Sequence, residues 1–265
     1  MNIKDWLKYF GMAWDMLIDL PLPKKVVDFS DDESYDINAQ RCFPLVGLLV
    51  GLLTIILAAL LSKMMNMSAA AILFAAIMTI FIVLKDSARS LGSLVSFIEL
   101  KTENVATVTA LYNMKGNINI RQPQSLVAVL SIFLVMIFYL LMFGLMIIYN
   151  CYFWMLLVFM LSFTIQGTLA TVPSVGDKKP LIAVPPQGVL QIWYIAGFIS
   201  LFVMFYAMPG SIFATLITFA LAFLGTQWLG RFSENKVGGI SINMIGFAGF
   251  IFEVIALLIG IIFLV

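Results

Sequence analysis

The sequence predicts an all-α fold: a polytopic membrane bundle of about seven transmembrane helices plus an N-terminal interfacial helix. Three observations predict it. Hydrophobic residues make up 62% of the 265 and charged residues 11%, against roughly 25% charged in a soluble domain. The apolar residues are gathered in runs of about twenty, the length a helix needs to cross a hydrocarbon core of roughly 30 Å. The runs do not alternate apolar with polar residues as membrane-barrel strands do, and backbone groups in hydrocarbon must then be satisfied inside helices.

The first element is WLKYFGMAWDMLIDLPLP, which puts Trp6, Phe10, Trp14, Leu17 and Ile18 on one helical face. This is the pattern of an amphipathic helix lying in the interface, within residues 1–23, and stopped by Pro21 and Pro23. Asp5, Asp15 and Asp19 interrupt any apolar core, so a cleavable signal peptide is not expected. A polar linker over 24–41 follows, and its acidic stretch DFSDDESYD reads as solvated. The transmembrane bundle occupies 42–265, with spans expected at 42–61, 67–84, 126–149, 152–172, 190–208, 211–230 and 245–265. The whole chain reads as a single membrane domain with polar loops at 85–125, 173–189 and 231–244.

Lysine and arginine orient these elements. Lys4, Lys8, Lys24, Lys25 and Arg41 precede the first span, and Lys85, Arg89, Lys101, Lys115 and Arg121 follow the second. Lys178 and Lys179 follow the fourth, Arg231 and Lys236 follow the sixth, and the alternate loops hold only Lys63. The positive-inside rule makes the richer side cytoplasmic, with the N-terminus inside and the C-terminus outside a cytoplasmic (inner) membrane. Net charge is +1, so charge gives no nucleic-acid reading. The absence of histidine removes imidazole acid–base chemistry and imidazole metal sites. Cys42 and Cys151 lack the spacing of a zinc or redox motif and read as apolar packers.

Two features point toward chemistry. VLKDSARSLGSL ends an apolar run in Lys85, Asp86 and Arg89. Such cations snorkel to headgroups at a membrane boundary without further function, yet the polar loop behind them is long enough to carry a site. Glu253 lies eight residues into the last expected span, where a carboxylate must be neutral, hydrogen-bonded or facing a wet cavity.

LPLPKK, a polar stretch, and then RCFPLVGLLVGLL resemble the opening of the cobalamin synthase family, the adenosylcobinamide-GDP ribazoletransferases. Phe43, Pro44, Leu45, Val46, Gly47 and Gly51 match the family's Phe-Pro-Leu-(Val/Ile)-Gly-x-x-x-Gly first span. Gly47 and Gly51 form a small-xxx-small face suited to close helix packing. The order and spacing of the later segments also agree. The resemblance implies that α-ribazole or its phosphate is joined to GDP-activated cobinamide with release of GMP, late in cobalamin biosynthesis. It also implies Mg²⁺ held by carboxylate oxygens, the two substrates as ligands, and other cobalamin-assembly proteins as partners beside the lipid bilayer.

The family's aspartate-rich motif, His-Leu-Asp-Gly-Leu-Ala-Asp-Thr-x-Asp-Gly, falls on VLKDSARSLGSL. Val83 stands for the histidine, and Lys85, Arg89 and Gly92 stand for the three aspartates; Leu84 and Ala88 hold. Asp86, the one metal-ligand candidate, is displaced by one residue, about 100° around a helix. The Met-(Lys/Arg)-Asp-Ser-Arg-x-Gly segment becomes MKGNINI, with Met114 and Lys115 retained and Asn117 a polar candidate. Gln166 replaces an arginine before Gly167 and Thr168. The C-terminal motif becomes GGISINMIGF, keeping Gly238, Gly239 and Gly246, with Ser241 for threonine and Asn243 for aspartate. Glu253 coincides with a family glutamate. On this resemblance Lys85, Arg89 and Lys115 are candidates for binding substrate phosphates, which arginine forks match well. Asp86, Asn117, Ser241, Asn243 and Glu253 complete the candidate polar site, and no catalytic residue is assigned. A fold-back of the long loop, turning at Gly92, Gly116 and Gly238–Gly239, would bring these groups together.

Three functions remain open at this point. The chain is a divergent transferase, a catalytically inactive relative that binds a corrinoid, a nucleotide or a partner synthase, or an unrelated membrane transporter. The span interiors hold almost no ionisable group for a transport relay.

Overall fold

A computed structural model describes residues 3–20, 39, 41–85, 89–102, 106, 107, 109, 125–175, 179, 180 and 186–264, with the side chains of 3–5, 186 and 187 excepted. The described residues are helical and contain no β-strand. In chain order the helices are α1 (Ile3–Leu17), α2 (Phe43–Met64), α3 (Met67–Leu84), α4 (Arg89–Thr102), α5 (Leu126–Ile148), α6 (Trp154–Leu169), α7 (Pro186–Ala207), α8 (Ile212–Phe232) and α9 (Ile242–Leu264). A 3₁₀ turn at Pro209–Ser211 leads into α8, and a π turn at Ser233–Val237 leaves it.

Local chemistry fixes the helix ends. Pro44 occupies the first turn of α2, where no backbone donor is needed. The Asn66 side chain accepts from the Ala69 amide at 2.8 Å to start α3, and Ser125 accepts from Ala128 at 3.1 Å to start α5. Within the spans, threonine hydroxyls are satisfied by their own helix. Thr54, Thr79, Thr164, Thr215, Thr218 and Thr226 each donate to the carbonyl four residues back. In hydrocarbon an unbonded hydroxyl would be costly, so this local pairing lets threonine sit in a span.

Among the described residues six helices, including α8 with its flanking turns, are long and apolar enough to cross a membrane. The fourth expected span differs: α6 has only 16 residues, a rise of about 24 Å. Its length need not match the bilayer, because α6 is the bundle's central post. Every residue of it except Gln166 is buried, and α2, α7, α8 and α9 pack around it. Close approach to α2 depends on two glycines. A Cβ on Gly47 would fall 2.5 Å from the Met160 Cα, and one on Gly51 would fall 2.6 Å from the Leu156 Cα. These pairs also show that α2 and α6 are antiparallel. The contacts of Gly249 with Gln166 and of Gly260 with Trp154 show the same for α9 and α6.

The polar stretch 85–125 is not simply a loop. Its first part forms α4, which packs on α9 and α5. Ser90 donates to the Gly246 carbonyl at 3.2 Å, and the Phe97 and Phe247 rings lie 5.5 Å apart. Gly92, expected at a turn, is inside this helix. The other two polar loops are joined by backbone pairing: Ile240 N donates to Pro173 O at 2.8 Å, and Val175 N donates to Ile240 O at 3.1 Å. Gly238 (φ 85°) and Gly239 (φ 138°) make the turn that permits this. A Cβ on Gly239 would lie 2.6 Å from the Pro173 carbonyl oxygen.

The N-terminal amphipathic helix is present as α1. Its Ala13 and Leu17, with Ile18 just beyond its end, are buried against the bundle, whereas Trp6 is 41% exposed. Asp19 N donates to Lys85 O at 2.7 Å, so the end of α1 is tied to the end of α3.

Candidate functional site

Lys85 closes α3, its amide donating to Phe81 O at 2.8 Å. Its side chain does not run outward to headgroups. It is 2% exposed, and the ammonium pairs with Oε1 of Glu253, a residue of α9 that is 0% exposed. The long aliphatic stem lets a residue at a helix end place its charge inside the bundle. Ser162 of α6 donates to the same Oε1 at 2.7 Å, and the Tyr139 hydroxyl of α5 lies 3.5 Å from Oε2. Gln166 Nε2 donates to Ser162 Oγ at 3.3 Å. The Phe159 and Phe163 rings stand 6.0 and 5.8 Å from the Lys85 ammonium. Four helices therefore meet at one buried polar centre with an apolar surround.

The chemistry of this centre follows from its burial. Two charges removed from water lose several kcal/mol of hydration each, and their mutual attraction repays this only with good hydrogen bonding. Ser162 supplies a close donor to the carboxylate, while two aromatic faces partly compensate the ammonium. The pair is formally neutral, so the bundle interior carries no net charge here.

Arg89 occupies a different setting. It forms a forked pair with both oxygens of Asp19, at 3.0 and 3.1 Å, with the two side chains 35% and 27% exposed. The expected phosphate-binding cations Lys85 and Arg89 are thus both engaged by carboxylates of their own chain. Ser241 caps α9 by accepting from Met244 N at 3.3 Å, and Asn243 is buried in the helix's first turn. Asp86, Lys115 and Asn117 lie outside the described residues. Sequence reasoning missed Ser162, Tyr139 and Asp19 as partners. A hydroxyl i−4 from Gln166 on a buried helix was the available signal for Ser162.

The resemblance implies Mg²⁺, so the donor set decides whether it fits. Among the described residues no three His, Cys, Asp or Glu side chains are grouped to hold a metal. The buried carboxylate Glu253 is taken by an ammonium. The described residues do not fit a magnesium site, and no step is derived through one.

Fold and site together define a polytopic helical membrane protein with a charge-compensated polar centre. The chain resembles the cobalamin synthase family: the family model described as cobalamin-5-phosphate synthase (CobS) matches residues 9–85. That match runs from within α1 through α2 and α3 and ends on Lys85. No curated protein and no solved structure matches the chain.

Proposed function

We propose that this chain works in cobalamin biosynthesis as a cobalamin synthase-type membrane protein. Its finer activity on this reading is the joining of α-ribazole or its phosphate to GDP-activated cobinamide, with release of GMP. The observation that carries the reading is the family match over 9–85, which covers the first two spans and reaches the buried polar centre. The charge asymmetry supports a cytoplasmic N-terminus and an outer C-terminus in a cytoplasmic membrane. The corrinoid would then meet the face where α3, α6 and α8 end and α9 begins. Lys115, Asn117 and Asn243 are the remaining candidates for contact with its phosphates and amides, with Asp86 as the candidate carboxylate.

A second reading has its own observation. The Lys85–Glu253 pair neutralises the buried carboxylate internally, which favours a relative that binds the corrinoid or nucleotide, or a partner synthase, without turnover. One assay separates the two. Purified chain in lipid is given GDP-cobinamide and α-ribazole phosphate, with and without Mg²⁺, and the corrinoid product and GMP are measured. Product formation supports the transferase. Its absence, with substrate still bound, supports the second reading, and absence of both product and binding overturns the assignment.

A further inference from the structure

A crevice of about 480 Å³ opens on the side of the bundle between α8, α9 and α4, away from the Lys85–Glu253 centre. Its walls include Gly225, Trp228 and Phe232 of α8, Phe247 and Ile255 of α9, and Phe97 of α4. They offer a ligand almost no hydrogen bond. The Thr226 hydroxyl is spent on Ala222 O at 2.6 Å, and the Thr107 hydroxyl accepts from the Lys101 ammonium at 3.4 Å. Nucleotide phosphates or corrinoid amides would lie unsatisfied on such walls, whereas hydrocarbon would not.

The crevice has a length and a polarity. It follows α9 from Met244 to Ile255, a rise of about 16 Å, or half of a hydrocarbon core of roughly 30 Å. That is the depth of one leaflet. Cations flank the end at which α8 stops and α9 starts. Arg231 is in the last turn of α8, next in sequence to Phe232, whose ring stacks on that of Trp228, and among the described residues it makes no ion pair. Lys101 is in the last turn of α4, bonded to Thr107 at the crevice wall. Trp228 is 65% exposed at the rim, where an amphipathic indole suits the boundary between headgroup and acyl chain.

We propose that this crevice is a binding site for one anionic phospholipid. An acyl chain lies along α9 between Phe247 and Ile255, and the phosphate sits toward Arg231 and Lys101. The proposal is independent of the corrinoid chemistry and needs only that the bundle spans a bilayer.

Native mass spectrometry of the full-length chain, released from detergent after titration with phosphatidylglycerol or phosphatidylcholine at equal concentrations, tests it. One phosphatidylglycerol should be retained in preference. Arg231→Ala and Lys101→Ala should each reduce that preference about five-fold while leaving phosphatidylcholine binding unchanged. A Cβ at Gly225 meets nothing within 4 Å, so Gly225→Leu should fill the crevice and displace the retained lipid whatever its headgroup. Ala248→Leu makes the same test from the opposite wall if the first variant loses its wild-type elution profile. Equal retention of the two lipids, a preference unchanged by both cation variants, or full retention after the crevice is filled would each overturn the site and leave annular lipid only.

Discussion

Removing either member of the Lys85–Glu253 pair should destabilise the bundle far more than removing both. In Lys85→Met the carboxylate keeps the Ser162 hydroxyl at 2.7 Å and the distant Tyr139 hydroxyl at 3.5 Å, but no countercharge among the described residues. Orphaning one partner of a buried pair costs about 3–5 kcal/mol. In Glu253→Leu the ammonium keeps, among the described residues, the Phe159 and Phe163 faces, each contributing about 2 kcal/mol at most when desolvated. Neither residue set replaces the lost partner, so both single variants fall in the same range. The double variant Lys85→Met/Glu253→Leu removes both desolvation penalties, and its stability should match or exceed the wild type by about 1–4 kcal/mol. The coupling energy from the cycle is then at least about 6 kcal/mol, the sum of the two single losses. Thermal unfolding of the detergent-solubilised chain reads this as a loss of roughly 6–20 °C in each single variant, at about 2–4 °C per kcal/mol, and its recovery in the double. Additive losses, or single variants within about 0.5 kcal/mol of wild type, would refute the pairing and the burial it rests on.

Other consequences follow from the packing and the loops. Gly47→Leu places its side chain into the α6 backbone at Met160, and should abolish a monodisperse elution profile, while Gly210→Ala, at a position with open space, should not. Gly239→Ala combines a strained φ with a clash against Pro173 O, so limited proteolysis should cut the 173–189 and 231–244 loops faster in that variant. Single cysteines placed in those loops should resist an impermeant thiol reagent in intact cells, as the charge asymmetry requires; labelling from outside would reverse the topology.

The fold was largely legible because hydrocarbon imposes a simple rule. Apolar runs of about twenty residues must be helices, and six of the seven expected spans are helices of spanning length. The shorter α6 escaped the rule because other helices, not lipid, surround it. Helix α4 was hidden by composition, since serines and Gly92 made the segment look like a loop. Its periodicity was nevertheless readable: Leu91, Leu94, Val95 and Ile98 follow i, i+3, i+4, i+7 spacing. Glu253 was recognised as needing a partner. That the partner is Lys85, 168 residues away, depends on how α3 and α9 pack, which no local pattern encodes. Arg89 presents the same difficulty, because its pairing with Asp19 arises from where α1 docks.

Equilibrium binding of GDP-cobinamide to the purified chain in lipid, first with Mg²⁺ and then with excess chelator, tests the central claim most directly. Lys85 and Arg89 stand where the resembled family carries aspartates, and the buried Glu253 carboxylate is paired with Lys85, so saturable binding of the corrinoid should persist after the metal is removed. Binding that vanishes with the chelator would mean that a metal site is built by Asp86 or by other residues outside the described ones, and would contradict metal-independent binding. No binding under either condition would contradict the cobalamin synthase-type function itself.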